Sequence, residues 1–398
     1  MWTSNATAPE PSVPEQRLTA IDLFAGAGGL SEGFRQAGFE ILAGSDLDKD
    51  AAETFRQSHP NAKFLELPIE ELETAGFLDL VSLDKGELDV LLGGPPCQAF
   101  SVYNHQRGMH DERSGLFREY LRIVEGLMPR FVVMENVTGI TSVAKGRAVQ
   151  EIESSLQQLG YSVEHRVLRA EEYGVPQERR RIFFLGSRDG REIPWPVRTH
   201  GRCETLFEPA KLPFVTVSEA IDDLPILAIR EGEEIVDYDQ APRSDYQHRL
   251  RAHATELYNH VAPALGEVNR ERLQYIPQGG SWRDIPHHLL PAGMQRAKRS
   301  DHTKRYGRLD PQGLACTILT KCDLHWGAFI HPEQQRTLTV REAARFQSFP
   351  DHVRFFGSRV EQFRQVGNAV PPLLARAVAD PIAKLLFGAE PKAQSGLA

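Results

Sequence analysis

A cysteine set behind two glycines and two prolines is the sharpest chemical feature of the chain: Gly93-Gly-Pro-Pro-Cys-Gln-Ala-Phe-Ser101. The apolar run LDVLL ends at Leu92, and the glycines and prolines then force an abrupt, rigid loop that presents Cys97. A thiol held at the C-terminal end of a strand in an open α/β sheet stands where a nucleophile belongs. A cysteine kept only for packing usually sits inside the core. Met134-Glu-Asn-Val137 closes the apolar run FVVM, so Glu135 would reach the same sheet edge. A carboxyl group there can hydrogen-bond or protonate a ring nitrogen. In Gln177-Glu-Arg-Arg-Arg181, ahead of IFFLG, strand spacing puts Arg179 and Arg181 on one face and Arg180 on the other. Two guanidiniums on one side can clamp a carbonyl or a phosphate.

A second constellation lies nearer the N-terminus. Asp22-Leu-Phe-Ala-Gly-Ala-Gly-Gly-Leu-Ser-Glu-Gly33 follows an apolar run and opens a helical one. Its glycines permit a tight turn and a close approach of backbone to ligand at a helix N-terminus. Ser31 stands where the third glycine of a dinucleotide fingerprint would fall. Twenty residues after Gly26, Asp46 ends the next apolar run, in the position that hydrogen-bonds ribose hydroxyls in nucleotide-binding sheets. A nucleoside-containing cofactor is implied, with either a phosphate or an amino-acid carboxylate at the helix N-terminus.

The elements that must carry these groups follow from the apolar pattern. LTAIDLFAG, FEILAGSD, LDVLLGG, FVVMENV and RRIFFLG read as buried strands, with helices over 30–37, 49–58 and 115–127. This alternation predicts an α/β fold with a mostly parallel sheet covered on both faces. Beyond about residue 190 the rhythm fades into a stretch rich in Pro, Gly, His and Arg. Periodicity then returns in TVREAARFQSFP and in the C-terminal helix PPLLARAVADPIAKLLFG. Residues 1–17 read as a flexible arm.

At 398 residues, 41% hydrophobic and 25% charged, the chain can bury a full core, and dominant disorder is excluded. Cys97, Cys203, Cys316 and Cys322 are too scattered for a disulfide scaffold or a paired zinc site. His287, His288 and His325 read as surface or core histidines, and no metal is implied. The absence of an 18-residue apolar run or a signal-peptide core leads us to expect a cytoplasmic protein without membrane contact. The net charge of −8 is unevenly spread. Residues 1–100 carry 6 Lys/Arg against 17 Asp/Glu, whereas residues 241–310 carry 12 against 7 together with six histidines. A polyanion-facing segment on an otherwise acidic protein is the functional reading of that split.

Taken in order, DLFAGAGGLSEGF, SDLDKDA, GGPPCQAFS, ENV, QERRR, REAARFQSFPD and QVGNAVPP resemble the motifs of the DNA (cytosine-5)-methyltransferases, over roughly residues 18–190 and 335–385. VTVSEAIDDLP belongs to the same likeness. The resemblance implies a Rossmann-like methyltransferase domain from residues 18–190 plus 335–398, and a smaller target-recognition domain from 191–334. It implies S-adenosyl-L-methionine as cofactor, held by Phe24, Gly26, Gly28, Asp46, Leu47 and Asn368. Cys97 would be the nucleophile on cytosine C6, with Glu135, Arg179 and Arg181 at the reacting ring. Pro96, Gln98, Ser101 and Gln177 would border the substrate, and Thr317, leading Thr317-Ile318, is the candidate base reader. FLELPIEEL departs from the family by carrying Leu67-Pro68 where Asp-Ile is common, which makes Glu66 the candidate for the adenine contact.

The implied partner is double-stranded DNA, with a flipped target base and a basic lobe to hold the duplex. A monomer is expected, because one strand is modified per event. A restriction endonuclease would be a functional partner only. An RNA cytosine-5 methyltransferase and a catalytically silent DNA-binding protein are the rival readings. The sizeable basic lobe speaks against the first, and the intact Cys97, Glu135 and QxRxR set against the second.

Overall fold

The computed structural model describes residues 17–96, 112–201 and 210–388. Its N-terminal half runs β1 (Leu18–Leu23), α1 (Gly29–Gln36), β2 (Phe39–Ser45), α2 (Lys49–Ser58), β3 (Lys63–Leu65), α3 (Thr74–Val81), β4 (Val90–Gly93), α4 (Glu112–Leu127), β5 (Phe131–Val137), α5 (Arg147–Gln158), β6 (Ser162–Arg169) and β7 (Arg180–Ser187). The rest comprises α6 (Val217–Ile221), β8 (Gly232–Val236), α7 (Asp245–Arg251), β9 (Leu257–Val261), α8 (Glu267–Leu273), α9 (Val340–Phe346), α10 (Arg359–Asn368) and α11 (Pro372–Phe387). None of the described helices is long and apolar enough to cross a membrane.

Seven strands form one sheet in the order β3-β2-β1-β4-β5-β7-β6. All run parallel except β7, which is antiparallel to both β5 and β6. The expected α/β sheet is therefore mostly parallel, with one reversed strand inserted between β5 and the edge. Along the central strands, alternate residues enter opposite apolar layers, as strand geometry requires. Val90, Leu92, Phe131, Val133, Phe183 and Leu185 meet Phe34 of α1 and Leu374, Val378 and Ile382 of α11. Leu91, Val132, Met134, Ile182 and Phe184 instead meet Tyr120, Ile123 and Leu127 of α4 and Ile152 and Leu156 of α5.

Two glycines set how closely the chain ends meet. A Cβ on Gly33 would lie 2.4 Å from Ala375 Cβ and 2.5 Å from Pro372 O, and one on Gly29 would lie 2.2 Å from Val370 O. Bare backbone on α1 thus lets α11 press against it and brings residues 367–370 beside the first glycine loop.

The insertion divides unevenly. Ile193, Val217, Ile221, Leu224, Tyr246, Leu250 and Leu257 join the apolar layer that holds α1 and α11. A separate core begins only at Leu265 and gathers Leu273, Ile276, Trp282, Ile285, Met294, Tyr306, Leu324 and Ile330. That separate core draws on residues 265–330, although Leu309, Ala315, Cys316, Ile318 and Phe329 of the same stretch join the layer of α1 and α11.

Candidate functional site

A cavity of about 560 Å³ opens at the C-terminal ends of β1, β2, β4 and β5. The strand order reverses between β1 and β4, and that crevice is where open α/β sheets bind ligands. Its floor is the turn after β1, where Phe24, Gly26 and Gly28 take φ of 58°, 53° and 82°. For Phe24 this is a strained conformation, of the kind retained at ligand sites. The Asp46 carboxylate braces the turn, accepting from Gly26 N at 2.9 Å and from Asp48 N at 3.0 Å. Burial raises its pKa, against these same backbone hydrogen bonds. Each carboxylate oxygen retains a lone pair for a further donor.

Phe24, Gly26, Asp46, Leu47 and Asn368 all line the cavity, and Leu47 is 61% exposed there. Gly28 is not among the lining residues. It caps α1 in the left-handed region, with His59 2.8 Å from where a Cβ would stand. Leu67, where the sequence departs from the family pattern, also lines the cavity, as do Ile69 and Glu70, which sequence reasoning did not single out. Glu66, the sequence candidate for the adenine contact, instead pairs with Arg56 at 3.0 Å, and Glu70 is the acidic group of that segment on the cavity. The donor set fits a nucleoside with an amino-acid tail: apolar walls for a base, carboxylates for hydroxyls or an amine, and the N-terminus of α1 for a carboxylate.

At the other end of the cavity, Arg181 Nε lies 2.7 Å from Glu135 Oε1. Neighbouring strands β5 and β7 hold the pair, with Arg181 opposite Val137 and Glu135 opposite Phe183. Glu135 is 9% exposed. Burial raises its pKa, and the charges of Arg181 and Arg179 only partly oppose that rise. Such a carboxyl holds its proton better than an ordinary glutamate and can donate it in a hydrogen bond. Asn136 Nδ2 donates to Pro95 O at 2.8 Å, tying the Pro-Pro turn to β5. Pro95 and Pro96 border the cavity. Cys97, Gln98 and Ser101 lie outside the described residues.

The QERRR segment differs from the expected double clamp. Arg181 lines the cavity, but Arg179 is 1% exposed and spends its guanidinium on the carbonyls of Ile318, Gly367 and Ala369. Gln177 is also fully buried. It donates to Phe346 O and Gln347 Oε1 and accepts from Ile318 N, so any effect it has on substrate is indirect. The i, i+2 spacing revealed the shared face but not the backbone carbonyls waiting there. Thr317 is half-buried and donates to Glu178 O at 2.6 Å.

Of the three tryptophans of the inserted region, Trp282 is core, and Trp195 lies on the sheet edge with its Nε1 donating to Glu164. Trp326 is 62% exposed, with the Arg305 guanidinium 5.3 Å from its ring centroid. His287 and His288 are exposed, and His325 bonds Asp323 and Tyr306. Among the described residues, carboxylate oxygens of Asp48, Asp50 and Glu361 lie within 4.8 Å of one another, and Arg364 pairs with Asp48 and Glu361.

Comparison with known proteins agrees with this arrangement. The family model of the C-5 cytosine-specific DNA methylases matches residues 18–384. Type II methyltransferase M.AgeI of Thalassovita gelatinovora is 35% identical, over 92% of this chain and 99% of its own. M.DdeI of Desulfomicrobium norvegicum is 36% identical over 92% and 88%. A prophage-encoded DNA modification methyltransferase structure from E. coli superposes with a TM-score of 0.71 at 24% identity, covering 93% of this chain and 99% of that one. With a family model spanning nearly the whole chain and relatives of this identity along almost their full length, the chain belongs to the C-5 cytosine-specific DNA methylase family.

Proposed function

We propose that the chain methylates C5 of cytosine within a short, specific sequence of double-stranded DNA. The observation that carries this reading is a single cavity running from the Asp46 turn to the Glu135–Arg181 pair and the Pro95-Pro96 approach to Cys97. S-adenosyl-L-methionine, when bound, supplies an electrophilic methyl group. Phe24, Gly26, Asp46, Leu47 and Asn368 are the residues to hold it, with Gly28 shaping the turn and Leu67, Ile69 and Glu70 beside it.

Cytosine C5 is too weak a nucleophile to act unaided. The Cys97 thiolate adds to C6, forming an S–C bond and pushing electron density toward C5. Glu135, whose neutral form burial favours, donates toward N3 and offsets the charge that develops there. Arg181 fixes the Glu135 carboxyl and adds a cation at the ring. Once C5 has been methylated, loss of its proton and expulsion of the Cys97 thiolate restore aromaticity.

The target base must leave the duplex to reach this edge, at a cost of a few kcal/mol. The lobe with its core at 265–330 is assigned to hold the DNA, with Arg305, Trp326 and Thr317 on or beside its exposed surface. The type II relatives support a protective role alongside a restriction endonuclease that need not bind this chain. The test is single-base mapping of 5-methylcytosine in DNA from a methylation-free host expressing the chain, with Cys97→Ser as control. A short consensus methylated only by the intact protein is expected. Absence of DNA methylation by a protein that binds S-adenosylhomocysteine would overturn the reading, and methylated RNA would redirect it.

A further inference from the structure

We propose that Arg179 is a positioning residue which couples DNA held by segment 315–326 to the wall of the cofactor cavity. This inference rests on the methyltransferase reading and adds a linkage between its two binding sites.

One guanidinium is the shared donor to two distant stretches of chain. Arg179 Nη1 donates to Ile318 O at 3.1 Å, while Nη2 donates to Gly367 O at 2.9 Å and Ala369 O at 2.8 Å. Gly367, Asn368 and Ala369 line the cavity, so two of the three carbonyls flank the exposed Asn368 side chain. Ile318 directly precedes Leu319 and Thr320, both exposed, in the segment that ends with exposed Trp326.

The same two stretches also meet as bare backbone. A Cβ on Gly367 would lie 2.4 Å from Leu319 O, so a glycine is what lets the two stretches pack this closely. Gln177 doubles the strap: it accepts from Ile318 N at 2.8 Å and donates to Gln347 Oε1 at 2.8 Å. Gln347 in turn donates to Val366 O at 2.6 Å and Ala369 O at 3.1 Å. Thr317 Oγ1 donates to Glu178 O at 2.6 Å and Glu178 N to Ala315 O at 2.9 Å, which fixes the near side. Arg179 Nε is buried without a hydrogen-bond partner, and the side chain does not line the cavity. A planar fork that satisfies three carbonyls cannot be reproduced by the single ammonium of lysine. DNA that orders 315–326 therefore also orders 366–370, and the cofactor wall gains rigidity.

The experiment is calorimetric titration of S-adenosylhomocysteine into wild type and Arg179→Lys, each alone and saturated with a duplex carrying the consensus found by mapping. Wild type is expected to bind at least about five-fold more tightly with duplex present, within the usual range of coupling between sites. By reciprocity, the duplex must gain the same factor when S-adenosylhomocysteine is bound. Arg179→Lys should bind both ligands separately and show less than a two-fold gain. Gln347→Met, which removes the donor to Val366 O and Ala369 O and lies on neither binding surface, should show an intermediate gain, and it carries the test if Arg179→Lys does not fold. A wild type without coupling, or a folded variant with the full wild-type gain, overturns the proposal. A wild type that binds neither ligand overturns the methyltransferase reading itself.

Discussion

Asp22→Asn should change how stability depends on pH. Asp22 is fully buried at the end of β1, with Ser31 Oγ donating to its Oδ2 at 2.7 Å and its Oδ1 without a partner. Desolvation outweighs the Ser31 hydrogen bonds and lifts its pKa from 3.8 to about 7. A folded-state pKa above the unfolded one means that the folded form binds the extra proton. Stability is therefore lost as pH rises from about 4 to about 7 and is fully present only below that window. The shift of roughly three units, at about 1.4 kcal/mol each, makes the ionised side chain cost about 4 kcal/mol at pH 8. Near pH 5 the cost is about 1.5 kcal/mol. Asparagine keeps an acceptor for Ser31 and never ionises, although its amide inherits the unpartnered site. Urea denaturation of both proteins at pH 5 and pH 8 should show the variant gaining about 2–3 kcal/mol on wild type across that interval, whatever the offset at pH 5. Parallel pH dependences would mean that Asp22 titrates as an ordinary carboxylate, and the account of its burial would be wrong.

Gly33→Ala should lower stability by about 1–3 kcal/mol despite alanine's better helix propensity, because the new methyl meets α11 at 2.4–2.6 Å. Urea unfolding would show this, S-adenosylhomocysteine binding should weaken with it as 367–370 retreats, and unchanged values for both would refute the close packing. Glu135→Gln should reduce kcat by roughly 10²–10⁴-fold with DNA binding intact. Arg181→Met removes the charge that most opposes the raised Glu135 pKa, so the alkaline limb of the kcat–pH profile should move to higher pH. An alkaline limb that stays in place while the acid limb rises would reverse the assigned protonation.

What could be read in advance depended on whether a residue's environment is local. β5 and α2 fall where the apolar runs put them, since a strand buried on both faces needs only a continuous apolar stretch. That same continuity hides direction, so RRIFFLG disclosed β7 but not that it runs antiparallel. β6, SVEHRVLR, went unread because an edge strand is mostly exposed and carries no apolar run. The acid at Asp46 was legible from its distance to the glycine turn. Glu70 was not, because only folding brings it to the cavity wall. TVREAARFQSFP disclosed a periodic segment but not that Arg341 and Arg345 within it are fully buried. Arg345 pairs with Asp223, 122 residues upstream, and with Asp351. No spacing rule reaches that far.

The distribution of charge around the glycine-rich turn bears on which class of nucleoside ligand the cavity can accept. Phosphate-binding versions of the turn rely on helix N-terminal amides facing an uncrowded anion site. In this chain the cavity presents Asp46, Asp48 and Glu70 near that turn, and the nearby cation, Arg364, is already paired with Asp48 and Glu361. Two like charges about 4 Å apart repel by roughly 4 kcal/mol at a near-surface dielectric, a penalty of about three orders of magnitude in affinity. A pyrophosphate would meet that penalty. A nucleoside carrying positive charge on its sulfur and amine would meet its opposite, leaving one carboxylate for the α1 N-terminus. The acidic balance of residues 1–100, with Asp46, Asp48 and Glu70 on the cavity wall, thus disfavours an anionic ligand beside the turn.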